Sequence, residues 1–333
     1  MTAQGGPSSK DGARRVALHA DDLGMNRAVN KGIFQAFEQG LLTSASVLTN
    51  APHAISAIAC WKDRFAGRPA GEFAVAAGRR LLDDLSLPFD LGIHLNLSQG
   101  RPLTADRYPS GLLDRDGCFP GIGSLFRRLY RATRWEAAIE AELSAQIKVL
   151  LDHGLRPTHL NGHQYVELLP ALARCIPRLL RRYAIPALRV AWEPPSWRTS
   201  LRTGFRPANC LLSAVKRHFA RKFRARIGRC DIPHPDVYFG ASHAGRIDLA
   251  LLRGFLSGAG SFSLAEIALH PASAAPHPAS AAVTPDAQAV EPEWRDPLAA
   301  WRPRELELLL SPALADFLLS QGLRLGRIGS PAG

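Results

Sequence analysis

Closely spaced cysteines are absent from this chain of 333 residues. The five cysteines are scattered singly, at Cys60, Cys118, Cys175, Cys210 and Cys230, and the sequence contains no CxxC motif. An odd and dispersed set in a chain of this length excludes a disulfide framework and is typical of reduced thiols in a cytoplasmic protein.

Apolar runs of membrane-spanning length are also absent, since no stretch approaches the roughly 20 residues that a spanning helix needs. The leading stretch MTAQGGPSSKDGARR lacks the apolar core of a signal peptide. We therefore expect residues 1–13 to form a disordered tail. We also expect a cytoplasmic protein, with the inner face of the membrane as a further surface that it could visit.

Acidic residues are few compared with basic ones. The chain has 29 Asp and Glu against 41 Lys and Arg, which gives a net charge of +12 and a pI of about 10.1. This excess favours an anionic partner or surface. The hydrophobic fraction of 46% with 21% charged residues is normal for a soluble protein with a sizeable core. The length fits one large α/β domain or two ordinary ones.

Much of the excess charge lies in residues 198–230, which contain ten Arg or Lys and no acid. Within this segment Leu212, Val215, Phe219 and Phe223 recur at helical spacing, with cationic residues between them. One interpretation is a solvated helix packed on the protein by its apolar stripe. Another is a basic amphipathic helix that binds an anionic membrane surface. Nucleic acid is disfavoured as a partner because no recognised binding motif is present.

Short apolar runs alternate with amphipathic stretches along the chain. Strand-like runs occur at 15–20, 43–50, 89–100, 157–161, 186–196, 262–271 and 323–329, with a weaker one at 71–78. Helix-like stretches occur at 25–40, 54–65, 135–154 and around 172–179. Strands that alternate with helices predict βαβ units and a mostly parallel α/β sheet.

Six or seven such units favour a distorted or incomplete (β/α) barrel over an open sheet. We therefore expect one barrel domain over residues 14–330. Two segments interrupt it: a basic helical insertion at about 198–230, and a low-complexity Ala/Pro/Ser-rich loop at about 272–297.

Metal-competent side chains stand at the ends of three predicted strands. Asp21 and Asp22 close the first strand, His94 lies late in the strand at 89–100, and His163 follows the strand at 157–161. In parallel barrels the C-terminal ends of the strands share one face. Asp22 and His94 are 72 positions apart, and His94 and His163 are 69 apart. At roughly 30 residues per βα unit, each gap holds about two units. These side chains can therefore meet at one rim.

One carboxylate with two imidazoles is a donor set that leaves coordination positions open for water and substrate. A hydrolytic metal needs such openings, and a neighbouring carboxylate can accept a proton from the water. Two adjacent Asp residues supply both functions. Structural explanations remain open for each part alone: an Asp pair that caps a helix, a core histidine at His94, and turn chemistry at His163.

Three segments resemble the signature regions of the YdjC-like carbohydrate deacetylases. They are HADDLGMNRAVNKGIFQAFEQGLLTSASVL, LGIHLNL and PTHLNGHQYVELLP, and the likeness runs in order from about residue 14 to 272. The resemblance implies a distorted (β/α) barrel and metal-dependent removal of an N-acetyl group from a sugar.

The resemblance also implies roles for particular residues. Asp21 would be the general base, and His270, in EIALHPAS, the general acid. Arg189, in ALRVAWEP, would orient the catalytic carboxylate. One divalent ion, Zn or Mg, would be bound by Asp22, His94 and His163.

The chain departs from the family pattern at several positions. Asn161 and Tyr165 stand where relatives usually have an acid and a second histidine, and Ala272 replaces the glycine after the His-Pro motif. These changes leave the implied ligands intact, but they affect the groups that would orient them. His19 is also atypical, and we interpret it as a core or rim residue without a role in the chemistry.

The leading hypothesis is a metal-dependent hydrolase that removes the N-acetyl group of an acetylamino sugar, in an oligosaccharide or a lipid-linked glycan. The same ion could instead serve the hydrolysis of an ester or phosphoester. An alternative of another class is an altered, non-catalytic family member that binds a glycan or an anionic membrane. A homodimer is compatible with the sequence.

Overall fold

The computed structural model describes residues 14–129, 134–194, 207–274 and 294–329, with the side chains of 207–213 excluded. Its strands are β1 (Arg15–Leu23), β2 (Ser44–Val47), β3 (Asp90–Leu95), β4 (His159–Gly162), β5 (Ala187–Leu188), β6 (Val237–Phe239), β7 (Leu264–Leu269) and β8 (Arg324–Leu325). The predicted tail at 1–13 and most of the predicted loop at 272–297 lie outside the described residues.

The strands form one parallel sheet in the order β5-β4-β3-β2-β1-β7-β6, and β8 pairs with the start of β1. The sheet curls so strongly that its two edges approach each other. The backbone N–H of Leu188, in the edge strand β5, donates to the carbonyl of Pro233, just ahead of the opposite edge strand, at 3.0 Å. The prediction of an incomplete (β/α) barrel is therefore confirmed.

Helices cover the outer face of the sheet. They are α1 (Arg27–Gln39), α2 (Ala54–Arg64), α3 (Ala76–Leu81), α4 (Ile122–Leu129), α5 (Glu136–Asp152), α6 (Leu172–Arg182), α7 (Pro207–Ile227), α8 (Leu249–Gly258), α9 (Arg302–Leu310) and α10 (Pro312–Ser320). The helix α1 illustrates how the sequence specifies an element: Asn26 caps it by accepting from the Val29 N–H, and Ile33 and Phe37 are buried on its inner face.

One predicted strand is wrong. The stretch 71–78 does not join the sheet; it contains part of a 3₁₀ turn, Ala70–Glu72, and the first residues of α3. Short apolar runs are ambiguous between strand and helix, and the alanines of this stretch favour the helix. The side chain of Leu81, at the end of α3, packs into the core and fixes the helix there.

Other predicted strands are shorter than expected. The run at 89–100 leaves the sheet after Leu95, because the Asn96 side chain accepts from the backbone N–H of Ser98 at 2.9 Å and so forms a turn. In the described part of the run at 186–196, which ends at residue 194, only the two residues of β5 are strand. These early exits leave loops at the rim where the polar residues gather.

The basic segment is helical over α7, as predicted, and its first part, 198–206, lies outside the described residues. Phe223 is buried in the main core, whereas Val215 is 41% exposed. The apolar stripe is thus divided between the core and the surface. Within the described ranges, no helix combines the length and the apolar character needed to cross a bilayer.

Candidate metal centre

The bulged end of β1 brings Asp21 and Asp22 to the same side. In a regular strand, consecutive side chains point to opposite faces of the sheet. Here the pairing register with β2 shifts between Ala20 and Leu23, and Asp22 adopts a left-handed backbone with φ +69°. Such a bulge re-aims a side chain, and non-glycine residues keep this conformation only where their surroundings hold it. Both carboxylates therefore line one cavity.

Asp22, His94 and His163, called the metal triad below, meet at the C-terminal rim of the sheet. Asp22 Oδ1 lies 3.0 Å from His163 Nδ1 and 3.4 Å from His94 Nε2. One candidate ligand atom from each residue lies within 4.8 Å of the others, and all three side chains are buried.

The hydrogen bonds of the two imidazoles fit a metal site. His94 Nδ1 lies 2.7 Å from Asn161 Oδ1, so Nδ1–H donates to the amide oxygen, and Nε2, on the side of Asp22, is the nitrogen that can bind a metal. His163 Nε2 is buried and has no hydrogen-bond partner in the described part of the chain. Two imidazoles and one carboxylate suit a divalent ion of the Zn type. These residues thus fit the ion that the sequence predicts.

Arg302, on α9, holds the other oxygen of the Asp22 carboxylate. Its Nη2 donates to Asp22 Oδ2 at 2.7 Å, and its Nε donates to Asp296 Oδ2 at 2.7 Å. Burial alone would raise the pKa of Asp22, but Arg302 and His163 outweigh it and hold that pKa well below its ordinary value. Asp22 is therefore an oriented anion with Oδ1 directed at the imidazoles.

Asp21 is held separately by Arg189, which follows β5. The guanidinium donates to both carboxylate oxygens, and its Nε donates to Glu266 Oε1 on β7 at 2.7 Å. Burial alone would raise the pKa of Asp21, but Arg189 and His94 hold it well below its ordinary value. The carboxylate of Asp21 is thus kept ionised.

His19 lies against Asp21, with its Nε2 3.1 Å from Asp21 Oδ1. Burial, with the nearby positive charge of Arg189, lowers the pKa of His19 to about 4, so the ring is neutral and donates from Nε2. His19 is a core residue as predicted, but it contacts the candidate base and is not remote from the site.

His270 follows β7 and lies between two carboxylates. Its Nε2 is 3.8 Å from Asp21 Oδ2, and its Nδ1 is 3.8 Å from Glu305 Oε2. The backbone N–H of His270 also donates to Glu305 Oε2, at 2.6 Å. Burial lowers the pKa of His270, but Glu305, Asp22 and Asp21 together raise it above its ordinary value. The surroundings therefore favour the protonated ring.

Five of the six residues singled out from the sequence line one cavity of about 510 Å³ at the rim, and the sixth, Arg189, contacts Asp21 from outside the cavity lining. Sequence analysis missed four supporting residues: Arg302, Glu305, Glu266 and Asn161 as the partner of His94. A signal existed for three of them, because Arg302 and Glu305 are charged residues set among leucines in RPRELELLL, and Glu266 interrupts the apolar run LAEIAL.

The altered Tyr165 occupies a strained turn beside the metal triad. Gln164 and Tyr165 have φ values of +52° and +62°. The Tyr165 hydroxyl lies 3.2 Å from the Tyr238 hydroxyl and 3.3 Å from the Gly240 carbonyl oxygen. The ring of Tyr165 lines the cavity, and the hydrogen bonds described for its hydroxyl do not involve the metal triad. This departure from the family pattern therefore changes the wall of the cavity and not the ligands of the metal triad.

The fold and site define an incomplete α/β barrel with a candidate metal centre at its rim, and comparison with known proteins identifies the family. The sequence profile of YdjC-like proteins matches residues 15–320. The chain therefore belongs to the YdjC-like family. The matched region extends past the three signature segments and includes α9, which carries Arg302 and Glu305.

Curated relatives are named carbohydrate deacetylases. The human protein is 30% identical over 327 residues, which are 93% of this chain and 89% of the relative. The Geobacillus stearothermophilus protein is 35% identical over 182 residues, 55% of this chain, and the zebrafish (Danio rerio) protein is 28% identical over 239 residues, 70% of this chain. These last two alignments span 62% and 66% of the relatives' own lengths.

A solved structure shares the fold. It is an Enterococcus faecalis protein named for cellobiose-phosphate cleavage, with a TM-score of 0.65 and 19% identity. The superposition covers 96% of this chain and all of that one. At this identity the likeness supports the barrel architecture alone.

Proposed function

We propose that the protein is a metal-dependent hydrolase that removes the N-acetyl group from an acetylamino sugar. The observation that carries this proposal is the metal triad beside a second, separately held carboxylate, in a chain whose curated relatives are carbohydrate deacetylases. The proposed setting is the cytoplasm.

The metal triad would hold one divalent ion, which when bound polarises the acetamide carbonyl and lowers the pKa of a water molecule. Asp21 is the proposed general base that takes a proton from this water. Arg189 keeps the Asp21 carboxylate ionised and fixes its orientation, and Arg302 does the same for Asp22.

His270 is the proposed general acid. Protonation of the leaving amine requires an imidazolium, and the raised pKa of His270 favours that form. Glu305 fixes the backbone at His270, and its carboxylate stabilises the charged ring. Asp21 and His270 thus have opposite protonation states, which acid–base catalysis needs.

The non-catalytic alternative receives less support. The reason to consider it is the change at Asn161 and Tyr165. The amide oxygen of Asn161 still accepts from His94 Nδ1, and the Tyr165 hydroxyl bonds Tyr238 and Gly240 in the cavity wall. The orientation of the ligand imidazole is therefore retained without the acid.

Asp21→Asn tests the proposal. This variant should lose acetate release by about 10²–10⁴-fold while it keeps its divalent metal, whereas Asp22→Asn should lose the metal itself. Acetate and free amine are measured on N-acetylglucosamine and its oligomers, with phosphate and carboxylic ester substrates in parallel. Unchanged acetate release by Asp21→Asn would exclude Asp21 as base. Hydrolysis of only the phosphate or ester substrates would replace the proposed reaction.

A further inference from the structure

The cavity that contains the catalytic residues continues into an apolar section. From the proposed function and this continuity, we infer that the substrate carries an aliphatic chain, so that the acetylamino sugar is the head group of a lipid. The chain would lie in the apolar section while the acetamide reaches the metal triad. This inference rests on the proposed function and adds the class of sugar conjugate.

Two helices supply most of the apolar section. Ile122 and Phe126 project from α4, and Val215 and Phe219 project from α7. The rings of Phe126 and Phe219 meet edge to face, with centroids 5.4 Å apart, and so join the two helices. Leu168 and Leu298 extend the apolar wall toward the metal triad.

The apolar wall is unsuited to a chain of sugars. Each sugar ring carries several hydroxyl groups, and a hydroxyl that leaves water without a new hydrogen bond costs about 1–3 kcal/mol. Apart from the catalytic groups and their partners, the described polar lining consists of Gln99, Gln164, Lys216 and Arg295, with the Tyr165 hydroxyl already bonded. Burial of methylene groups against the same wall is favourable, because it removes apolar surface from water.

The exposure of Val215 marks where the chain would leave the protein. Val215 is 41% exposed and lies on α7, whose neighbouring positions Arg217, Arg221 and Lys222 are cationic. The apolar section therefore reaches the surface at α7, which presents Val215, Phe219 and one cation, Lys216, to the cavity. Because the cavity is continuous with the catalytic groups, an aliphatic chain attached to the reacting sugar can occupy its apolar section while the acetamide lies at the metal triad.

The test uses the methyl, butyl and octyl glycosides of N-acetylglucosamine, each below its micelle concentration. The phenyl glycoside and the diacetylated disaccharide serve as comparison substrates. Burial of one CH₂ raises kcat/KM by at most about fourfold. Partial burial of the octyl chain should therefore raise kcat/KM for acetate release by roughly 30-fold or more relative to the methyl glycoside. The octyl compound should also be preferred to the disaccharide and to the phenyl glycoside.

A matched pair of variants locates the effect. Val215→Ser should reduce the octyl-to-methyl ratio of kcat/KM by about threefold or more, because a hydroxyl replaces apolar contact. Ile55→Ser changes a residue on α2 that is 53% exposed and outside the cavity, and it should leave the ratio unchanged.

Equal kcat/KM for the methyl and octyl glycosides would overturn this inference, as would a preference for the disaccharide or an equal gain with the phenyl group. Each of these results would leave the proposed deacetylase activity standing. Acetate release from none of the compounds by the metal-loaded protein would overturn the proposed function and this inference together.

Discussion

Arg189 donates hydrogen bonds to both carboxylate oxygens of Asp21, at 2.8 and 2.9 Å, across strands that are not neighbours in the sheet. The same guanidinium also bonds Glu266, so it joins residues from β1, β7 and the end of β5 inside the curled sheet. The curl of the barrel is what makes this contact possible. A planar sheet would keep the edge strand β5 well away from β1.

Arg189→Lys should lower kcat by about 100-fold, because lysine cannot form the bidentate hydrogen bond that orients Asp21. A small displacement of a catalytic group reduces the rate by about this factor. KM should change little. Arg178→Lys is the control, since Arg178 forms surface ion pairs with Glu136 and Glu140 away from the cavity, and this variant should give normal kinetics. Steady-state kinetics checks both variants, and an unchanged kcat in Arg189→Lys would show that Asp21 needs no such support.

Arg302→Gln should weaken divalent metal binding by about 10–100-fold, because the Asp22 carboxylate loses the partner that orients it. Calorimetric titration of the metal measures this change. Arg327→Gln is matched to it, since Arg327 is also a buried arginine but pairs with Asp83 away from the site. The Arg327 variant should lose stability and keep its metal affinity. Tighter metal binding by Arg302→Gln would mean that the positive charge of Arg302 matters more than its orienting contact.

His270→Gln should reduce kcat/KM by about 10²–10⁴-fold and change the shape of the pH profile. The pKa of His270 is raised above its ordinary 6.5, so the protonated acid persists to higher pH than in an ordinary histidine and is lost as the pH rises through that pKa. The wild-type rate should therefore fall on the alkaline side, and this limb should be missing in the variant. Retention of the alkaline limb in His270→Gln would assign it to another group.

Glu167→Gln should stabilise the protein, and more so as the pH rises. Burial raises the pKa of Glu167 from 4.5 to about 8, and within the described residues neither carboxylate oxygen has a hydrogen-bond partner. Between these two values the folded state binds more protons than the unfolded state, so the wild type loses stability as the pH increases. Thermal unfolding at pH 5 and pH 9 should show a larger gain for the variant at pH 9. A gain independent of pH would contradict the raised pKa.

The sequence predicted the barrel and the residues at its rim because both depend on local patterns. Apolar runs mark the parallel strands, and a polar residue at the end of such a run must lie at the C-terminal rim. The same logic explains the wrong prediction at 71–78. A short apolar run predicts a strand even where the run has no partner strand, and this run is partly helix α3.

Local patterns mark Arg302, Glu305 and Glu266 as unusual charged residues, but they do not reveal which residues these side chains contact. Arg302 is 280 positions from Asp22, and only the packing of α9 brings the two together. The orientation of the Asp21 and Asp22 side chains depends on the bulge at Asp22, a backbone feature that apolar periodicity does not reveal. The family resemblance implies the chemistry of individual residues, whereas the partners of these residues are revealed only by the fold.

The central claim is that Asp22, His94 and His163 hold one divalent ion. Elemental analysis of the purified protein after loading with Zn²⁺ and removal of excess ion tests it directly, with wild type, Asp22→Asn and His94→Ala compared with Asp21→Asn. We expect about one ion per chain in the wild type and in Asp21→Asn, and loss of that ion in the other two variants. Equal metal content in all four proteins, or none in the wild type, would contradict the account.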